Sequence, residues 1–387
     1  MVGRSISKLA IAGCVLVTSL MWLSSVSTLR ADSKLLSHTV DFAGTITFLG
    51  TKVPGLVFAA VRGGETTVAG FGEIADGTGK APDGDTIMRI GSVSKVFCGE
   101  ALASLVAEGK LALWDRLQDR LGVEVEVPGK DGKAIRLIDL VTHAAGLVRE
   151  VPRPPAPASD PFASNTRVAQ IAGLEGDPLL FPPGTAVSYS NFGFDLLGAA
   201  LSHSAGKSYA ALLDERIFSP LGMKDTLFNP RPGDEARLMR GHDFDGSQMP
   251  VAPTPVTIEC AGGLYTTPND MLRWMKWHLD RFSPDRQPVR LLDHAAYLYR
   301  DGLGAVVGLD EAGEMDAMGL GWVIMMPKGN RPLILQKTGG LQGTFAYLAL
   351  APTKGVGVFF AMNTFDVGAF ATTVEAANEL LGELAPR

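Results

Sequence analysis

The sequence predicts a mixed α/β fold of the α+β kind, with an antiparallel sheet built from both termini, flanking helices and an inserted helical region. The distribution of strand-like and helical patterns along the 387 residues is the basis of this prediction. Short apolar runs bounded by turn residues lie at both ends of the chain, at residues 54–62, 66–72, 321–326, 333–337, 344–351 and 355–362. Helical periodicity fills the middle and returns in an amphipathic closing helix at 366–384. The strands of the two ends are therefore expected to meet in one sheet.

Three regions follow from this distribution. Residues 1–31 are predicted to be a signal peptide, residues 32–98 and 318–387 an α/β sheet domain, and residues 99–317 a mainly helical inserted domain. The patterns weaken around 280–318, where no element is predicted.

The first 31 residues have the layout of a secretory signal. Arg4 and Lys8 precede an apolar run that extends to about Val26, and small residues end near Ala31. This layout predicts an exported, periplasmic protein. A retained anchor is the alternative, because about 18 apolar residues approach the length of a spanning helix, and it would keep the protein at the inner membrane. Few apolar residues precede Cys14, which disfavours a lipoprotein.

Charge and residue types exclude several classes of function. Cleavage after Ala31 removes three basic and no acidic residues and changes the formal net charge from −6 to −9, and no basic cluster remains. A nucleic-acid partner is therefore not expected. The six histidines form no metal-ligand motif, so neither a metal nor another cofactor is predicted. The sequence does not specify an oligomeric state.

Two cysteines lie beyond the signal. Cys98 falls in an apolar helical pattern and is expected to be a buried thiol, and no partner is predicted for Cys260. A single disulfide would not provide a framework for a chain of this length.

Ser92 and Lys95 are the first candidates for catalysis. An extended stretch at 86–90 runs into Ser92 and helical periodicity follows as far as Gly109, so the serine is expected at a strand-to-helix junction. Lys95 lies one helical turn away on the same side. A serine hydroxyl needs a neighbouring base to act as a nucleophile, and a lysine serves when its neutral form is favoured. The alternative is a helix cap, but a capping box would have Glu or Gln in place of Lys95.

A second motif, Tyr189-Ser190-Asn191, follows a Pro-Pro-Gly turn. Its phenol and amide could move a proton and hold a substrate carbonyl. Taken alone, these residues are better explained as a surface loop with Asn191 as a helix cap.

A third motif, Lys337-Thr338-Gly339, ends a predicted strand. Lysine and threonine can bind a substrate carboxylate, and glycine permits close approach of another backbone. Each motif alone is weak. Together, Ser-x-x-Lys and Lys-Thr-Gly mark penicillin-binding proteins and β-lactamases.

With these motifs the sequence resembles class C β-lactamases and their DD-peptidase relatives over almost all of the mature chain, and in particular the AmpH-type D-alanyl-D-alanine carboxypeptidase/endopeptidase group. The middle motif is Tyr-x-Asn rather than Ser-Asp-Asn, which favours the class C side. The resemblance extends over the runs IGSVSK (90–95), LVTHAAGL (140–147), YSNFGFDLLG (189–198), PLGMKDT (220–226), GGLYTTPNDMLRW (262–274), GLGW (319–322) and QKTGG (336–340). It implies a β-lactamase/transpeptidase-like fold.

The resemblance also implies catalytic roles. Ser92 would be the acylated nucleophile, Lys95 its activating partner and Tyr189 a proton-relaying acid/base. Backbone N–H groups of Ser92 and Gly340 would form the oxyanion hole. Whether Lys95 or Tyr189 takes the first proton stays open at this point.

Substrate binding is assigned by the same resemblance. Asn191 would orient Lys95 and the substrate. Lys337, Thr338 and Gly339 would hold the substrate through its carboxylate.

The implied activity is serine acyl transfer on the D-Ala-D-Ala peptides of peptidoglycan, by a DD-carboxypeptidase/endopeptidase that also binds penicillin. A class C β-lactamase acting on β-lactams is the alternative, because both enzymes form the same acyl-enzyme and differ in how fast water releases it. An esterase of the same fold is less favoured, because Lys337 is retained to pair with a substrate carboxylate. A non-catalytic penicillin receptor is also less favoured, because binding alone does not require the full set of residues.

Overall fold

The computed structural model describes residues 34–157, 159–176 and 179–385. The predicted signal peptide at 1–31 lies outside these residues. Within them, no helix combines the length and the apolar composition needed to cross a bilayer.

Strands occur at both ends of the described chain, with short strand pairs between. They are β1 Gly55–Arg62, β2 Glu65–Gly72, β3 Met88–Arg89, β4 Gly129–Lys130, β5 Lys133–Ala134, β6 Val187–Ser188, β7 Tyr265–Thr266, β8 Leu298–Tyr299, β9 Val306–Val307, β10 Ala317–Met318, β11 Val323–Met325, β12 Ile334–Leu341, β13 Thr344–Ala351 and β14 Val356–Met362.

Helices open and close the described chain and fill its middle. They are α1 at 34–51, α2 Ser94–Ala107, α3 Leu137–Val141, α4 Arg167–Gly176, α5 Asn191–Ala205, α6 Tyr209–Leu213, α7 Ser219–Leu221, α8 Glu259–Gly262, α9 Pro268–Leu279, α10 Gln287–Asp293 and α11 Val367–Leu384.

One eight-stranded sheet unites the two ends of the chain, which confirms the predicted α+β architecture. Its order is β2-β1-β14-β13-β12-β11-β10-β8, and every neighbouring pair is antiparallel. The first strand of the sheet lies directly beside the last, with Leu56 opposite Met362.

Strands β1, β13 and β14 are apolar along most of their length because helices cover both faces of the sheet. On one face, Phe58 packs in a core with Leu36 of α1 and Phe370 of α11. On the other face, Val57 belongs to the larger core, which includes Phe97 of α2. The fold is thus three layered, with the sheet between two sets of helices.

Three short strand pairs lie outside this sheet in the described part of the chain, and two of them lead to predicted site residues. Strand β3, which leads to Ser92, pairs with β7, and β6, which leads to Tyr189, pairs in parallel with β9. The extended stretch before Ser92 therefore belongs to a local pair rather than to the main sheet.

Strands β8 and β10 join the main sheet although β8 lies before residue 318 and β10 begins before it. Each has two residues, which is too short to produce a recognisable alternating pattern, and no element was expected there. The division of the chain into a sheet domain and an inserted domain stays a prediction.

The expectation of a buried free thiol at Cys98 is wrong. Cys98 is buried, but it forms a disulfide with Cys260 across 162 residues of sequence. Helices α2 and α8 pack against each other and bring the two Cα atoms to 5.6 Å, which lies in the normal disulfide range. Sequence alone gave no signal for this pairing because the packing of α8 on α2 is a tertiary feature.

Candidate active site

Ser92 lies in a tight turn between β3 and α2. The single helical turn Gly91–Val93 precedes Ser94, the first residue of α2, so the predicted strand-to-helix junction is present. Gly91 has φ +48°, and a Cβ atom there would lie 2.7 Å from the backbone nitrogen of Gly340. The turn and strand β12 therefore approach each other so closely that a side chain at residue 91 would not fit.

The predicted Gly339 makes the same approach from the other side. A Cβ atom on Gly339 would lie 2.1 Å from the carbonyl oxygen of Ile90 and 2.9 Å from the backbone nitrogen of Ser92. The Lys-Thr-Gly strand thus packs directly against the nucleophile turn.

Lys95 is fully buried, and its side-chain nitrogen has three hydrogen-bond partners. Its Nζ lies 3.2 Å from Ser92 Oγ and 2.7 Å from Asn191 Oδ1, and it also contacts the carbonyl oxygen of Ala261. Helices α5 and α8 therefore each place one oxygen atom beside the Lys95 amine of helix α2.

Tyr189 completes the surroundings of the serine. Its hydroxyl donates a hydrogen bond of 2.5 Å to Ser92 Oγ. The Lys95 amine lies 5.0 Å and the Lys337 amine 4.9 Å from the centre of the Tyr189 ring, so both amines lie close to this ring. The side chains of Ser92, Lys95, Tyr189 and Lys337 therefore lie together in one site.

The start of α5 fixes the positions of Tyr189 and Asn191. Ser190 is the N-cap, and its side chain accepts a hydrogen bond from the Gly193 N–H. The cap is therefore Ser190 and not Asn191, which leaves the Asn191 amide for Lys95 and for Glu150, to which it donates a hydrogen bond of 2.5 Å.

His143 packs against the ring of Tyr189. Its ring stacks on the Tyr189 ring with centroids 4.5 Å apart, and its Nδ1 accepts a hydrogen bond from the Ser190 N–H. Burial and the nearby Lys95 and Lys337 hold the pKa of His143 well below its ordinary value. His143 is therefore a neutral residue that holds the turn before α5.

Burial controls the protonation of the two amines. It lowers the pKa of Lys95 well below the ordinary lysine value, and the charge of Lys337 lowers it further, against the opposing effect of Asp195. Burial also lowers the pKa of Lys337 to about 8, although Glu311 opposes the change.

Burial has the opposite effect on the phenol. It raises the pKa of Tyr189 far above the ordinary tyrosine value, although the hydrogen bond to Ser92 opposes the change. Near neutral pH the site therefore combines a protonated phenol with an amine that readily gives up its proton.

Thr338 and Gly340 follow Lys337 along β12. The Thr338 hydroxyl donates a hydrogen bond of 2.9 Å to Glu311 Oε2. Gly340 and Ser92 line the same cavity of about 160 Å³, together with polar residues of the helical region that include Glu150 and Arg153.

Several groups of the site were not expected from the sequence. Ala261 acts through its carbonyl, so its residue type carries no signal. Arg149, whose guanidinium lies 4.7 Å from the Tyr189 ring centre, and Glu150 follow the run LVTHAAGL by two and three residues. Asp195 and Glu311 belong to none of the three motifs, and only the fold brings them to the site.

A second buried polar cluster lies away from Ser92, between α2, α9 and α10. His278 Nδ1 lies 2.8 Å from His294 Nε2, and Asp293 accepts a hydrogen bond from the Trp322 indole. Donor atoms of His278, Asp293 and His294 all lie within 4.8 Å of one another, so these described residues could hold a metal ion. No sequence motif predicted this group, because His278 and His294 are 16 residues apart on different elements.

Comparison with known proteins agrees with this geometry. The family described as β-lactamase matches residues 34–381. The D-alanyl-D-alanine-carboxypeptidase/endopeptidase AmpH of Escherichia coli strain K12 is 35% identical over 356 residues, which cover 91% of this chain and 90% of that protein.

Solved structures agree as well. The β-lactamase/D-alanine carboxypeptidase from Yersinia pestis, complexed with citrate, superposes with a TM-score of 0.82 at 35% identity over 90% of this chain and 98% of that chain. A class C β-lactamase superposes with a TM-score of 0.76 at 20% identity over 92% and 98% of the two chains, which shows a shared fold. The chain therefore has the predicted β-lactamase/transpeptidase-like fold, and it is a serine hydrolase that belongs to the β-lactamase family.

Proposed function

We propose that the protein is an exported DD-peptidase that cleaves D-Ala-D-Ala peptides of peptidoglycan through an acyl-enzyme on Ser92. The observation that carries this proposal is the position of Ser92 Oγ, which lies 3.2 Å from the Lys95 amine and 2.5 Å from the Tyr189 hydroxyl. The Lys337 amine lies close by, 4.9 Å from the centre of the Tyr189 ring.

The hydrogen-bond pattern favours Lys95 as the first base. A neutral amine has two N–H donors and one lone pair. Asn191 Oδ1 and the Ala261 carbonyl accept from the two N–H groups, so the lone pair is left for the Ser92 hydroxyl. The lowered pKa of Lys95 supports the same assignment, because it favours the neutral form.

The raised pKa of Tyr189 favours a donor role for the phenol. Ser92 Oγ attacks the carbonyl carbon of the penultimate D-alanine and transfers its proton to Lys95. Backbone N–H groups of Ser92 and Gly340 stabilise the oxyanion that forms. Tyr189 gives its proton to the departing amine of the terminal D-alanine and is reprotonated by Lys95. Water then attacks the ester and loses a proton to Lys95, and a proton returns to Ser92 Oγ as the second product leaves.

Lys337 and Thr338 would hold the carboxylate of the terminal D-alanine. The Lys337 amine is buried beside Tyr189 and Thr338 is the next residue on β12, so a carboxylate bound there would place the adjacent peptide bond at Ser92. Retention of Lys337 argues against an esterase for neutral substrates.

The relatives favour a peptidase over a β-lactamase. The proteins that are 35% identical are named as a D-alanyl-D-alanine-carboxypeptidase/endopeptidase and a β-lactamase/D-alanine carboxypeptidase. A β-lactamase of class C is the second candidate, supported by the shared fold at 20% identity.

Export to the periplasm is part of the proposal, and the buried Cys98–Cys260 disulfide supports it. Disulfides form and persist mainly in oxidising compartments such as the bacterial periplasm.

The test is a side-by-side measurement of kcat/KM on a D-Ala-D-Ala pentapeptide and on a chromogenic cephalosporin, with Ser92→Ala as the control for background. We expect release of D-alanine by the wild type and slow turnover of the cephalosporin. Fast cephalosporin turnover with an inert peptide would establish the β-lactamase instead.

A further inference from the structure

A carboxylate of the protein itself already contacts one of the two groups of the proposed carboxylate anchor. Glu311 Oε2 accepts the hydrogen bond of 2.9 Å from the Thr338 hydroxyl. The charge of Glu311 also acts on Lys337, where it opposes the lowering of the lysine pKa by burial. The same two groups are proposed above to receive the carboxylate of the substrate.

The backbone around Glu311 is anchored on both sides. Asp310 pairs with Arg300 at 2.9 Å and accepts a hydrogen bond of 2.8 Å from the Met315 N–H. Ala312 is buried in the core between the sheet and α11. The Glu311 side chain, by contrast, is exposed to solvent. The segment thus holds Glu311 beside Thr338 while its side chain can rotate away from the anchor.

We propose that Glu311 is a specificity-determining residue, whose carboxylate takes the place of the substrate carboxylate in the free enzyme and must leave when a substrate with a terminal carboxylate binds. This inference rests on the proposed function, because it requires Lys337 and Thr338 to be the carboxylate anchor.

Competition between two carboxylates has a defined consequence. The Glu311 carboxylate and a substrate carboxylate repel each other, so Glu311 must give up its contact with Thr338 when such a substrate binds. The free energy of that contact is then lost from the binding free energy of the substrate. An exposed contact of this kind is weak, so a peptide can displace it. A substrate without a terminal carboxylate does not displace Glu311 and does not meet this competition.

Glu311→Gln separates charge from hydrogen bonding. Glutamine keeps an oxygen that accepts from Thr338 but has no charge. We expect kcat/KM for a D-Ala-D-Ala peptide to rise about two- to fivefold, mainly through a lower KM. The same peptide with an amidated C-terminus should gain nothing. Both rates are measured as release of the terminal residue.

Glu314→Gln is the matched control. Glu314 is exposed on the same segment and lies 3.8 Å from Arg300, and it makes no contact with Lys337 or Thr338 among the described residues. Its substitution removes the same charge from the same segment, so it should leave the ratio of the two peptide rates unchanged.

The outcomes separate this inference from the proposed function. An active wild type whose Glu311→Gln variant shows an unchanged or lower kcat/KM on the carboxylate peptide would overturn the inference alone. Equal gains in Glu311→Gln and Glu314→Gln would also overturn it, because the effect would then be one of net charge. A wild type that releases no D-alanine and forms no penicillin adduct would overturn the proposed function and the inference together.

Discussion

At the scale of single residues, activation of Ser92 depends on how one buried amine is held. Lys95 makes three hydrogen bonds, to Ser92, Asn191 and Ala261, and no carboxylate is among these partners. A buried ammonium without a direct anionic partner is costly, so burial favours the neutral amine. The same environment that destabilises the charge therefore makes the lysine able to accept the serine proton.

Replacing Lys95 by arginine tests this requirement. Arginine keeps a positive charge but does not lose its proton in proteins, so it cannot act as a base. We expect the rate of Ser92 acylation to fall by at least about a hundredfold. Stopped-flow measurement with a chromogenic cephalosporin checks this, and Lys276→Arg on the exposed face of α9 is the matched control. Acylation at the wild-type rate by Lys95→Arg would contradict the assignment of Lys95 as base.

The pKa of Lys337, about 8, predicts an alkaline limit on peptide hydrolysis. Lys337 is protonated below this pH and binds a carboxylate, and it loses that charge as the pH rises through it. We therefore expect kcat/KM for a D-Ala-D-Ala peptide to decline above about pH 8, since this ratio reports the free enzyme.

Lys337→Gln provides the comparison for this pH profile. Glutamine is neutral at every pH, so kcat/KM should be low throughout and the alkaline decline should disappear. If the variant keeps the same decline as the wild type, another group is responsible for it.

At the scale of elements, three helices meet behind Lys95. Helix α2 presents Lys95, α5 begins at Asn191, and α8 contains Ala261. The disulfide fastens α8 to α2 directly beside Ala261, and a Cβ atom on Gly198 of α5 would lie 2.8 Å from the Cys260 Cβ. The crosslink thus lies where the elements around Lys95 converge.

The double substitution Cys98→Ala and Cys260→Ala should destabilise the protein. Opening a crosslink that spans 162 residues increases the entropy of the unfolded chain, and we expect a loss of about 2–5 kcal/mol in the free energy of unfolding. Guanidinium unfolding of the two proteins measures this loss, with reduced wild type as control. Two reactive thiols in the denatured, unreduced wild type would contradict the presence of the disulfide.

Elements with strong local patterns were predictable from the sequence. The long strands β1, β13 and β14 and the closing helix α11 were expected within a residue or two of their observed bounds, because their apolar periods are long and turn residues mark their ends. The two-residue strands were not predictable, since β8 and β10 owe their pairing to the neighbouring sheet and not to their own sequence.

At the scale of the whole molecule, closure of the sheet brings the distant motifs together. Pairing of β1 with β14 joins the two ends of the chain, and the close approach of β12 to the Ser92 turn follows from glycines at positions 91 and 339. The residues of the three motifs were predictable because they recur as a recognisable set. The disulfide and the contact between Glu311 and Thr338 were not, because each depends on tertiary packing between elements that no local pattern links.

The most direct test of the central claim is mass spectrometry of the intact protein after mixing with a penicillin, followed by peptide mapping. We predict one covalent penicilloyl adduct located on Ser92, and none in the Ser92→Ala variant. A wild type that forms no adduct, or an adduct that maps to another residue, would contradict the account.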